Sequence, residues 1–165
     1  MGYRGQQLDG GFLASVENAI SEIRQIMRPA AVKEIFLLTR GEDGLLLTGT
    51  ELVLTGRSIA KLLSDSVKCC VMAATIGIDV DRQIRRLSVS GLTDSVIFDA
   101  CATAAIEAVC DAFQAEIEEA VREEGYRITS RFSPGYGDFP LDIQGKLLRV
   151  LQAEKRCGSH SRLPV

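Results

Sequence analysis

The sequence predicts an α+β domain: a mostly antiparallel sheet packed against helices, one of them long. Three observations carry this. Residues 94–124 contain neither Pro nor Gly, so nothing breaks a helix that would run about 46 Å at about 1.5 Å per residue. Leu45-Leu46-Leu47-Thr48-Gly49-Thr50-Glu51-Leu52-Val53-Leu54 places two short apolar runs around a Gly-containing break, the pattern of an antiparallel hairpin. Val67 to Ile76 (VKCCVMAATI) is apolar nearly throughout, as in a strand covered on both faces, and is the candidate central strand.

The remaining elements follow in chain order. Phe12, Leu13, Val16, Ile20, Ile23 and Met27 recur at three- and four-residue steps, an amphipathic helix that Asp9 or the neighbouring glycines can start and Pro29 closes. Val32 to Thr39 is β-branched and aromatic and suits a strand. Ser58 to Leu63 is a short helix, and Asp79 to Leu87 another, with a basic outer face at Arg82, Arg85 and Arg86. Gly91 breaks that run, Thr93 or Asp94 can cap the long helix, and Gly125 ends it. Within the long helix, Glu116 to Glu124 is charged and reads as solvated, whereas Ala100, Ala104, Ala105 and Ala108 belong to a small-residue half that suits close packing or the approach of a flat ligand. Tyr126 to Thr129 reads as a short strand, Arg131 to Pro140 as a loop, and Leu141 to Glu154 as a final helix with Leu147, Leu148, Val150 and Leu151 inward.

Composition narrows the function. The 165 residues suit one domain, and 46% hydrophobic with 25% charged residues is the balance of a folded globular chain. A formal net charge of −3 lacks the basic excess that a phosphate backbone demands, so nucleic acid is not an expected partner. No apolar run reaches the roughly 20 residues that cross a bilayer, and no membrane association is expected. Five cysteines, with Cys69 and Cys70 adjacent, fit a reducing cytoplasm better than a disulfide framework. With no CxxC pair and His160 the sole histidine, no metal site is expected. Phosphate-loop, dinucleotide, nucleophile-elbow and HExxH motifs are missing as well, so no catalytic residue is assigned and the chain reads as one that binds.

The most informative segment is Arg131-Phe132-Ser133-Pro134-Gly135-Tyr136-Gly137-Asp138-Phe139-Pro140. Pro134 and Pro140 stiffen it, Gly135 and Gly137 permit unusual dihedrals, and Arg131 offers a planar fork matched to a carboxylate. It can hold a small anionic molecule, or it is a rigid turn in which Arg131 pairs with a nearby Asp and Tyr136 plugs the core. On the long helix Asp99, Thr103, Glu107 and Asp111 recur every four residues as one polar row. Glu107, set among small apolar residues, either pairs with an Arg of the chain or awaits a cationic ligand. Thr75-Ile76-Gly77 is a weaker candidate for a pocket floor.

RFSPGYGDFPLDIQ (Arg131 to Gln144), with AATIG (Ala73 to Gly77) and IFDACATAAIEAVCD (Ile97 to Asp111), resembles the activation domain of cobalamin-dependent methionine synthase, and more closely its small stand-alone relatives. The resemblance spans nearly the whole chain. It implies a module that binds S-adenosylmethionine and presents its methyl group to a cobalamin carried by a separate methionine synthase, restoring methylcobalamin from cob(II)alamin with an electron from a flavodoxin- or ferredoxin-type donor. Carried over by position, Arg131 resembles the arginine that grips the methionyl carboxylate, with Ser133 at the next backbone contact and Pro134 between it and the glycines. Gly135 and Gly137 would leave room for adenosyl or corrin groups, Tyr136 matches a tyrosine beside the corrin, and Glu107 aligns with a helix glutamate near the ligand. After Lys155 the sequence departs from the family: RCGSHSRLPV stands where a further strand region is expected, so the resemblance implies a single unit over 1–165 with that region missing. A non-catalytic module that docks on a corrinoid protein, or an incomplete fragment, is the alternative.

Overall fold

The computed structural model describes residues 10–158. In order these form α1 (Gly10–Ile26), β1 (Ala30–Gly41), β2 (Gly44–Leu47), β3 (Val53–Leu54), α2 (Arg57–Leu62), β4 (Lys68–Thr75), α3 (Ile78–Ser90), α4 (Leu92–Glu123), a 3-10 turn at Leu141–Ile143, α5 (Gln144–Val150) and α6 (Ala153–Gly158). The architecture is α+β, with one four-stranded antiparallel sheet in the order β3-β2-β1-β4. Asp9, one proposed start of α1, and His160 lie outside the described residues.

β1 organises the sheet. Its residues from Ala30 to Leu37 pair with β4 and those from Leu38 to Gly41 with β2, whose own partner is β3. The hairpin over Leu45 to Leu54 is therefore present, but β4 is an edge strand and not the central one. Its apolar character has the cause expected from the sequence, since both of its faces are covered. Val71, with Cys69 and Ala73, joins a core with Val32, Leu47, Leu54, Ile59, Phe139 and Leu151. Cys70, Met72 and Ala74 face Phe113 and Ile117 of α4. An edge strand buried on two faces looks in sequence like a central one, because side chains report on faces and not on edges.

α4 spans two environments. Its first half packs Ile97, Phe98 and Ala102 against Ile23 of α1 and Val80 of α3. Farther along, Phe113 is buried on the sheet, and so is Ile117, within the stretch from Glu116 to Glu124 expected to be solvated. The small-residue half differs from expectation too: Ala100, Ala104 and Ala108 face solvent, and only Ala105 of the four is partly buried. The helix stops at Gly125, which takes φ 80°. There the Tyr126 N–H donates to the Val121 carbonyl at 2.9 Å and the Gly125 N–H to Arg122 at 3.0 Å, the paired bonds of a Schellman cap.

Two further expectations are corrected. Residues 126–129 form no strand: they run past β4 without ladder hydrogen bonds, Ile128 packing on the α4 side of the sheet. The helix expected over Leu141 to Glu154 is broken at Gln152, which adopts φ 50° and turns the chain between α5 and α6. Leu151 and Ile143 are buried, whereas Leu148 is exposed. α6 docks on the sheet through Cys157, and Arg156 reaches Glu34 at 3.2 Å and the Lys33 carbonyl at 3.2 Å.

Candidate functional site

The loop from Arg131 to Pro140 is rigid for identifiable reasons. The Gly135 N–H donates to the Phe139 carbonyl at 2.8 Å, the Phe139 N–H to Tyr136 at 3.0 Å, and the Tyr136 N–H to Ser133 at 3.1 Å. Gly135 and Gly137 take φ 91° and 54°, the left-handed region. At Gly137 space matters as well, since a Cβ would lie 2.7 Å from the Ser58 hydroxyl. Phe132 anchors the loop to the core, with Phe139 tilted beside it at 6.1 Å and Tyr136 edge-on at 5.9 Å between centroids.

Asp138 fastens the loop to the rest of the fold. Its carboxylate accepts the backbone N–H groups of Arg57 at 2.7 Å and Ser58 at 2.8 Å, serving as the cap of α2 from 80 residues away. The Ser58 backbone, the Ser58 hydroxyl and the Arg57 backbone hold this carboxyl down at about 2. Gly56, at φ 122°, makes the approach possible: a Cβ there would meet the Asp138 carbonyl oxygen at 2.9 Å.

At the other end of the loop, Arg131 meets one face of α4. Its guanidinium lies 2.7 Å from Asp111, donates to Glu107 at 3.0 Å and to the Gln114 side-chain oxygen at 2.9 Å. The spacing 107, 111, 114 puts all three on one helical stripe. Asp111 first, then Glu107, raise the Arg131 pKa above its ordinary value. The group is one cation between two anions, and its members differ in exposure: 30% for the arginine side chain, 59% for Glu107 and 71% for Asp111.

Beside this group lies a cavity of about 600 Å³, bounded by β4, α2, the inner face of α4 and residues 124–134. Arg131, Ser133, Pro134 and Glu107 line it; Gly135, Tyr136 and Gly137 do not. The seven proposed ligand residues thus divide. Four share the cavity wall, while the two glycines shape the turn and Tyr136, 58% exposed, stands on the outer surface against Phe132. Thr75-Ile76-Gly77 is also outside the cavity: Gly77, at φ 96°, turns the chain from β4 into α3 against Arg28. Of the polar row, Asp99 and Thr103 are exposed, and only Glu107 and Asp111 reach Arg131.

Asp111 continues the polar row of Glu107 in the sequence, but its partner, and the part played by Gln114, emerge only once Arg131 approaches α4. Asp138 carries no such signal, because its partners are backbone N–H groups at the start of α2. Cys69 and Cys110 also line the cavity, and burial pushes the Cys69 thiol up to about 11, which keeps it protonated and inert at neutral pH. Among the described residues no cluster of His, Cys, Asp or Glu is placed to hold a metal ion, and no helix is long and apolar enough to cross a membrane. Neither the scan against family models nor the search of curated proteins found a match for this chain.

Proposed function

We propose that the chain is an S-adenosylmethionine-binding module that serves reductive methylation of cob(II)alamin on a separate cobalamin-dependent methionine synthase. The observation that carries this reading is the meeting of Arg131 with Glu107 and Asp111 beside a cavity whose wall continues through Ser133 and Pro134. S-adenosylmethionine bears a carboxylate, an ammonium and a sulfonium, one anion and two cations. The Arg131 group carries the inverse set. A guanidinium for the carboxylate and the Glu107 carboxylate in the wall for a cationic group, with Asp111 just outside, give a complementary match, and a cavity of about 600 Å³ is within the range that holds ligands of this size.

The corrinoid carried by the partner and a flavodoxin- or ferredoxin-type donor supply the nucleophile and the electron. This chain's share is binding and orientation: Arg131, steadied by Asp111 from outside the cavity, fixes the methionyl end, Glu107 in the wall favours the charged sulfonium over a neutral thioether, and Tyr136 on the outer surface meets the corrin. Such a pair works in the cytoplasm.

A second reading draws on the same group. Because Arg131 already holds two carboxylates and an amide, a chain that docks on a corrinoid protein without S-adenosylmethionine would keep that group as an internal tie. Titration calorimetry separates the two. Saturable S-adenosylmethionine binding that weakens at least tenfold in Arg131→Ala, with weaker binding of S-adenosylhomocysteine, supports the first. No binding beside retained association with the corrinoid protein assigns the second.

A further inference from the structure

We propose that the cavity along β4 is also an acceptor for an extended polypeptide segment supplied by a partner, which adds a strand between β4 and residues 126–131. This does not rest on the S-adenosylmethionine reading. A cavity lying over the face of a sheet is lined by alternate residues, because side chains alternate. Here every residue from 66 to 72 lines it, and every residue from 124 to 134 opposite. Unbroken runs of lining residues mark two backbone edges facing the same space.

Both edges have unused hydrogen-bonding groups. Among the described residues β4 pairs only with β1, so every second N–H and C=O along it points away from the sheet. Among the described residues none of these outer groups has a partner, and the backbone N–H groups of residues 127–132 have none either. Tyr126-Arg127-Ile128-Thr129 has the composition of a strand yet takes up no ladder. A small ligand uses a few polar groups; two facing rows of unpaired backbone groups suit an extended main chain, which would bond to both at once.

The walls specify its side chains. On one side stand Ile59, Leu63 and Phe139, and on the other Glu107, Cys110 and Gln114 of α4, followed by Ile117 and Val121. A strand presenting aliphatic residues to the first and residues such as threonine, with both a hydroxyl and a methyl, to the mixed second wall satisfies both, and the run from 66 to 72 gives it about 20 Å, roughly six residues.

The probe is a capped six-residue peptide alternating valine with threonine, titrated into the full chain without S-adenosylmethionine and followed by amide hydrogen exchange. Saturable binding is expected, with exchange slowed at least tenfold at alternate amides of β4 and at residues 127–131. The same peptide N-methylated at every second amide along one edge should bind at least tenfold more weakly. Thr129→Pro removes a backbone N–H without a partner among the described residues, and with it only an exposed hydroxyl bond to the adjacent Ser130 carbonyl at 3.2 Å, so its melting temperature should hold while peptide affinity falls at least tenfold. Three results overturn the proposal: no slowing at millimolar peptide, equal binding of the N-methylated peptide, or slow exchange of both edges before peptide is added. In the last case, dependence on protein concentration assigns the cleft to a second copy, and independence assigns it to the chain itself.

Discussion

The two ends of the loop from Arg131 to Asp138 both carry a charge that is satisfied, yet by partners of different kinds. Asp138 is held by backbone N–H groups at the start of α2, which stay in place as long as the helix does. Arg131 is held by Glu107 and Asp111, side chains more than half exposed that can swing to other partners with little loss. A fixed partner makes a residue part of the fold. A mobile partner leaves it available to a ligand. The same loop therefore joins a structural end to an exchangeable one, and the contrast can be broken at either side.

The largest effect is expected where the structural end is tightest. Gly56→Ala forces a side chain into φ 122° and sets its Cβ 2.9 Å from the Asp138 carbonyl oxygen. Strain and clash together should cost about 3 kcal/mol. Thermal unfolding should show Tm lower by roughly 6–12 °C for a domain of this size. An unchanged Tm would mean that the tie between Asp138 and α2 contributes nothing to the fold.

Asp138→Asn tests the same end through pH. The carboxyl lies at about 2 when folded, below its ordinary 3.8. A depressed carboxyl stabilises the fold fully above about pH 4 and loses that contribution as pH falls through 4 towards 2. At pH 7 the variant should melt below the wild type by less than Gly56→Ala does, and the two curves should converge in acid. A gap that persists at pH 2 would assign the loss to packing and not to charge.

At the exchangeable end the stability effect should be smaller again. Arg131→Ala removes a guanidinium whose anionic partners remain in solvent, so unfolding free energy should change by less than about 1 kcal/mol, measured by urea denaturation. A loss of 3 kcal/mol or more would place Arg131 on the structural side and favour the internal tie over a ligand site.

What the sequence made legible follows from how local each feature is. Gly125 ends α4 because a single left-handed residue suffices, and the hairpin over Leu45 to Leu54 needs only two apolar runs and a turn. β4 was recognised as a strand but misplaced in the sheet, since its position depends on β1 pairing along all of it. Residues 126–129 have strand composition, but a strand exists only by pairing, and among the described residues no neighbour pairs with them. The outward face at Ala100, Ala104 and Ala108 shows the reverse limit: small apolar residues permit close packing without requiring it. For the site, the loop and Glu107 were legible as residue types out of place. That Glu107 and Arg131 meet each other, and that Tyr136 stands apart from both, depends on how the loop is pinned by Asp138.

Tyr136→Phe gives the smallest effect and isolates one atom. The ring packs edge-on against Phe132, and its hydroxyl makes no hydrogen bond among the described residues. Removing that hydroxyl keeps the ring contact and strands no partner, so stability should stay within about 0.5 kcal/mol of the wild type. S-adenosylmethionine affinity should also hold, because Tyr136 is not in the cavity wall. A fall in the rate of corrinoid methylation with both of these unchanged would assign the phenol to the surface that meets the partner. Loss of S-adenosylmethionine affinity would instead bring Tyr136 into the ligand site and end the separation between the cavity and the outer face of the loop.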